Sequence, residues 1–217
     1  MLRRILAVSC LALFVAQAPA AAQPTTDLCD PFRQSQVGQW VLYRMSGGST
    51  DAESVRIAVV GEEEKNGETL QWIEMKMTGG STPLITQVLV PRIGFSPEQI
   101  QGMVMKVGDQ PAMKAPESML GFMRDMASQG KIMDFAAECE ASEVVGTEDV
   151  TVPAGTYRAT HLRSPNGEAW VTKEVPFGFV KGRSDDGTGM ALAGHGTDAT
   201  SSITETPQEM PGMGMRP

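Results

Sequence analysis

The chain has 217 residues, 41% of them hydrophobic, with 18 Lys and Arg against 26 Asp and Glu, a formal charge of −8 and two histidines. That length suits one domain, or one domain with tails. An acidic surface repels phosphate backbones and anionic headgroups, which argues against nucleic-acid binding and against membrane attachment through a basic patch.

The first 22 residues follow the order of a secretory signal peptide. Arg3 and Arg4 give a positive start, Ile5 to Val15 an apolar stretch broken by Ser9, and Ala20-Ala21-Ala22 the small residues a signal peptidase reads. Gln23 is then the expected new N-terminus, with an uncleaved N-terminal anchor as the alternative. Cys10 sits inside the apolar stretch, too early for a lipoprotein cleavage site, so no lipid anchor is expected. Losing Arg3 and Arg4 makes the remaining chain still more acidic. No later stretch reaches the about 20 apolar residues of a membrane span. The expected location is periplasmic or secreted, and the expected state a monomer. In such a compartment Cys29 and Cys139 read as one disulfide, closing a loop of about 110 residues worth about 4–5 kcal/mol by loop entropy; two separate buried thiols are the other reading.

After a short polar lead, Asp30 before Pro31 has the form of a helix N-cap and first-turn proline, predicting a helical turn over Pro31–Gln36. Trp40 to Tyr43 are β-formers, and Gly47-Gly48 ends that run. Val55, Ile57 and Val59 then alternate with Ser54, Arg56 and Ala58. Asn66-Gly67 signals a hairpin. The returning strand sets Ile73, Met75 and Met77 against Glu74 and Lys76, which predicts one face buried and one wet. Leu84–Val90 and Ile100–Val107 continue the strands.

One helix is expected. Met119, Phe122, Met123, Met126 and Ala127 recur at helical spacing, with Pro116 before and Gly130 after. Strands return at Val144–Val152, Tyr157–Arg163, Ala169–Lys173 and Phe177–Lys181, and Asp185-Asp186-Gly187 leads to a last one through Met190 and Leu192. From Pro207 the Pro-, Gly- and Met-rich composition reads as a disordered tail, which leaves residues 23–206 as one domain. The predicted class is mainly β (α+β): a large curved antiparallel sheet, or incomplete barrel, of about ten strands with one amphipathic helix on its inner face.

No nucleophile–base–orienter set is visible, so a non-catalytic protein is expected and no cofactor is implied. His161 reads as a satisfied structural histidine. His195, between glycines and near Asp198, is the one candidate base. Glu62-Glu63-Glu64 alternates in direction and reads as a solvated charge run. Most of the 15 methionines fall at core-facing positions, where methionine is adaptable filler. Met210, Met213 and Met215 in the tail are soft ligands that suit Cu(I).

Several motifs occur in a fixed order: Gly38-x-Trp40-Val41-x-Tyr43, Val152-Pro153-Ala154-Gly155-Thr156-Tyr157, Glu168-x-Trp170-Val171, and Val175-Pro176-x-Gly178-x-Val180-Lys181. Behind a signal peptide this set resembles uncharacterised bacterial envelope proteins whose fold is similar to the lipoprotein carriers LolA and LolB. The resemblance covers Gly38 to Ala193. It implies an incomplete antiparallel barrel with a helical lid and an apolar inner face, which in the carriers holds acyl chains. The shared residues are turn-makers, such as Pro153 and Gly155, and large aromatics.

The functional expectation is a periplasmic module for a hydrophobic ligand: a lipid, an acyl chain or an apolar protein segment. Met119, Phe122, Met123 and Met126 would face it from the helix, and Trp72, or Ile73 with Met75, from the sheet. The alternatives are a structural or protein-interaction domain of the envelope without a ligand, and copper handling by the tail.

Overall fold

The computed structural model describes residues 25–32, 34–47, 53–80, 82–93, 95–130 and 135–210. The expected signal peptide lies outside them, as do Met213 and Met215; for Met123 and Met126 the backbone alone is described.

The alternating segments become strands of one sheet: β1 (Trp40–Ser46), β2 (Ser54–Lys65), β3 (Glu68–Thr78), β4 (Leu84–Val90), β5 (Gly102–Val107), β6 (Met113–Lys114), β7 (Glu143–Val152), β8 (Gly155–Ser164), β9 (Gly167–Val171), β10 (Phe179–Ser184), β11 (Gly189–Gly196) and β12 (Gln208–Glu209). Their order is β12-β6-β5-β4-β3-β2-β1-β11-β10-β9-β8-β7, and every pairing is antiparallel except β12 with β6. The sheet is curved and open, with β12 and β7 as its two edges. The β2–β3 hairpin turns where the sequence signals it. Asn66 and Gly67 both take positive φ, 55° and 80°, as a two-residue hairpin turn of matching twist requires.

Register then decides the faces. Ile73 lies opposite Val59 and Val88, and these join Val41, Tyr43, Val90, Phe95, Ile100, Trp170, Phe177 and Leu192 in the main core. Burying each large aliphatic or aromatic side chain contributes about 1.5–3 kcal/mol. The β7 end curls back: Val150 and Val152 enter the same core, and Ala154 N–H donates to Leu192 O at 3.0 Å. Tyr43 donates its hydroxyl to Phe179 O at 3.0 Å, and burial pushes that hydroxyl far above the ordinary tyrosine value, so it stays a donor.

The opposite face of β3 is not wet. Residues 197–206 cross it as a strap. Trp40 Nε1 donates to Asp198 at 2.7 Å, and Ala199 N–H to Gly38 O at 2.8 Å. Glu74, 0% exposed, accepts from Gln87 Nε2 (2.8 Å), Ser202 N (2.8 Å) and Ser202 Oγ (2.7 Å), with Arg56 at 3.7 Å. Ile203 packs with Ile85, Val104 and Ala112. Lys106 then pairs with Glu205 at 2.5 Å, and β12 docks beside β6 through Gln208 N–H to Ala112 O and Met210 N–H to Lys114 O. Residues 208–210, expected in the tail, are therefore part of the sheet edge.

Among the described residues three helices stand where one was expected: α1 (Thr25–Cys29), running into a 3-10 turn at Asp30–Phe32, α2 (Glu117–Gly130) and α3 (Phe135–Ala141). The N-terminal turn thus begins and ends earlier than Pro31–Gln36. α2 starts after Pro116 as expected and runs one residue further, through Gly130, but does not meet the expected partner. Its buried Leu120 adjoins Trp72, Leu89 and Gly102, which register and close approach place on the face opposite Ile73. The core face is already filled by Phe95, Ile100, Val175, Phe177 and the curled β7, which leaves no room for a helix there.

Candidate functional site

The arrangement best suited to a ligand lies where α3 meets β8–β10. Cys29 of α1 and Cys139 of α3 are disulfide-bonded across 110 residues, as the cysteine count suggested. Both are buried, with Leu162 and Val171 beside them and Ala169 and Phe179 packed against the group. Next to this covalent anchor opens a cleft of about 340 Å³, floored by Met45, Leu162, Ala169, Val171, Phe179 and Met190.

Local sequence explains the floor. Gly182 lies in it because a Cβ there would come within 2.5 Å of the Phe179 ring. Gly167 closes the β8–β9 turn at φ 147°, where a Cβ would meet Arg183 O at 2.2 Å. The rim is polar. Glu138 of α3 accepts from Ser164 Oγ at 3.0 Å and Asn166 Nδ2 at 3.1 Å, and Arg183 donates to Glu168 at 2.9 Å. Desolvation alone would raise the Glu168 carboxyl. The hydrogen bond from Arg163 and the charges of Arg183, His161 and Arg163 outweigh it and hold the carboxyl below its ordinary value. An apolar floor under a polar mouth is the usual chemistry of a small-molecule pocket, and this volume is at the small end of the range of about 300–1,000 Å³.

The residues expected to form a site are placed elsewhere and are divided between the two faces of the sheet. Ile73 is 2% exposed inside the main core, and Met75 shares its face, partly buried. Trp72 points the other way and donates Nε1 to Glu63 at 3.1 Å. Trp72 and Leu120 share a hollow of about 210 Å³, also lined by Glu63, Lys65 and Glu117. Met119 is partly buried, whereas Phe122 is 57% exposed. Of the residues lining the cleft, Cys139 alone was expected as a site residue, as a disulfide partner, and none was expected to touch a ligand. Met45 and Met190 lie at strand positions that looked like ordinary core filler, and the Cys29–Cys139 pairing was the signal that could have pointed there.

The candidate chemical groups are also resolved. His161 is not a satisfied histidine. It stacks on Trp170 at 4.5 Å, its buried Nε2 has no hydrogen-bond partner among the described residues, and Glu148 and Glu168 stand 3.8 Å and 3.6 Å away. His195 Nε2 lies 3.2 Å from the Tyr157 hydroxyl, while Asp198 is engaged by Trp40. Glu62, Glu63 and Glu64 accept from Gln71, Trp72 and Thr69 in turn. Among the described residues no group of three His, Cys, Asp or Glu could hold a metal, and no helix is long and apolar enough to cross a membrane.

No protein-family model matches the sequence, and no curated protein matches it. Among solved structures the chain is similar to a Bacteroides fragilis protein described as exported, with a YmcC-like fold. The TM-score is 0.34 and the identity 11%, over 74% of this chain and 96% of that one.

Proposed function

We propose that the protein is an exported binding module that takes an acyl chain or a similar apolar ligand in the cleft beside α3. The observation that carries this reading is the open apolar floor of Met45, Leu162, Ala169, Val171, Phe179 and Met190 under a polar rim. Each buried methylene would add about 0.8 kcal/mol, and the two methionines can adjust to ligands of different shape. The polar mouth suits a ligand whose head group stays in water.

A thermal-shift series with saturated fatty acids of increasing length tests it, since a ligand that binds only the folded state raises the melting temperature. The expected result is a shift that grows with chain length until the cleft is full. Ala169→Phe, which fills the floor, should remove the shift while the protein still unfolds cooperatively. No shift in the native protein, or an equal one in the variant, would reject the reading.

A second reading, a protein-interaction domain, is favoured by β7. Its residues from Glu143 to Asp149 are exposed, Val144 and Val145 among them, and the strand is an edge of the sheet. Such an edge is a template for strand addition.

A further inference from the structure

We propose that the sheet face beneath the strap carries a second, polar site for a small soluble ligand bearing an oxyanion, held by Arg56 and Lys76. These two residues are direct cross-strand neighbours on β2 and β3. Like charges in that position repel, so their pairing calls for a compensating anion. Arg56 has two in part: Glu74 lies 3.7 Å away but already accepts three hydrogen bonds from Gln87 and Ser202, and the nearby Asp198 carboxylate is engaged by Trp40. Lys76 is half-buried, and its ammonium has no partner among the described residues.

The surroundings orient the cations before anything binds. The Arg56 guanidinium lies over the Trp40 ring at 5.2 Å. Trp40 is fixed in turn by its hydrogen bond to Asp198 and by Gly196, where a Cβ would come within 2.6 Å of the indole nitrogen. Above them is a shallow, open depression of about 360 Å³, with Trp40, Arg56 and Lys76 from the sheet and Asp198, Thr200 and Ser202 from the strap. That is the space of on the order of ten waters, enough for an oxyanion and the group that carries it. Guanidinium, ammonium and the exposed Thr200 hydroxyl together supply charge-assisted donors that suit phosphate, sulfate or carboxylate. The acidic charge of the chain disfavours an anionic membrane and leaves a small solute as the occupant. A bound oxyanion would bridge sheet and strap.

The test is nitrogen–proton NMR of the folded protein. The Trp40 indole and the Thr200–Ser202 amides are followed during titration with phosphate, sulfate or glucuronate, at ionic strength held constant with chloride. Saturating shifts with one or more of these are expected, and the strongest titrant identifies the oxyanion. Lys76→Gln should weaken binding roughly tenfold without lowering the melting temperature, because it relieves repulsion, and Lys76→Arg should retain it. Shifts that never saturate, or an unchanged affinity in Lys76→Gln, would overturn the proposal. Neither result bears on the fatty-acid cleft, which shares no residue with this depression.

Discussion

The strap at residues 197–206 and the disulfide-tied helices α1 and α3 both cover sheet that would otherwise be bare, yet they hold on by different means. The strap is laced by polar groups: a buried carboxylate, an indole and a surface ion pair, each meeting a named partner. Every one of those contacts has to fit, because a buried acceptor left unmet costs about 1–3 kcal/mol. The helices are held by one covalent bond, a small apolar group and the exposed hydrogen bonds that Glu138 accepts from Ser164 and Asn166. A covalent tether does not require the space beside it to be filled, and it is there that the apolar cleft opens. The space left under the polar lacing is lined by charged and hydroxyl groups, and the space beside the covalent tether by apolar ones.

Three experiments break or sharpen that contrast. The largest effect should come from Cys29→Ser with Cys139→Ser, which frees a 110-residue loop and should cost about 4 kcal/mol in urea unfolding. Fatty-acid stabilisation should disappear with it, whereas the Trp40 indole signal of the strap should persist. Glu74→Ala should cost about 3 kcal/mol, since it strands Ser202, Gln87 and Arg56 together. Hydrogen exchange should then rise at the Ser202 amide and stay unchanged at Cys139. If both sites loosened alike, the two covers would not be independent.

The smallest effect is acid-dependent. Asp198 is held below its ordinary value by the hydrogen bond from Trp40, and Glu205 by the one from Lys106. A carboxyl depressed in the folded state stabilises fully above its unfolded value and loses that contribution as pH falls through the folded one. The strap should therefore be tight above the ordinary values of 3.8 and 4.5 and loosen only below them. Trp40 indole shifts between pH 6 and 2 check this; loosening on the alkaline side would contradict it.

Much of the fold was readable because strand alternation and turn residues are local signals. β4 spans Leu84–Val90 as expected, and Asn66-Gly67 turns the hairpin it announces. The strap was not readable. Its Ser- and Thr-rich residues have no apolar period, and its meaning depends on Glu74, which looks like a wet-face residue beside Lys76. α3 is short, with seven residues, and its place rests on the pairing of Cys139 rather than on an amphipathic stripe. The expected site failed for a related reason. Helical spacing identifies a stripe on α2 but cannot say which side of the sheet receives it, and the core side was filled by Phe95, Phe177 and β7.

The Glu74–Ser202 contact also bears on the order of events during synthesis. Its two ends are 128 residues apart. A chain growing from its N-terminus can form the β2–β3 hairpin early, yet Glu74 meets the hydroxyl that caps it only after a further 128 residues have emerged. Until then the hairpin holds a carboxylate that must stay in water, and the sheet cannot close over it. Final consolidation is thereby deferred to a late, long-range step, a pattern that slows folding.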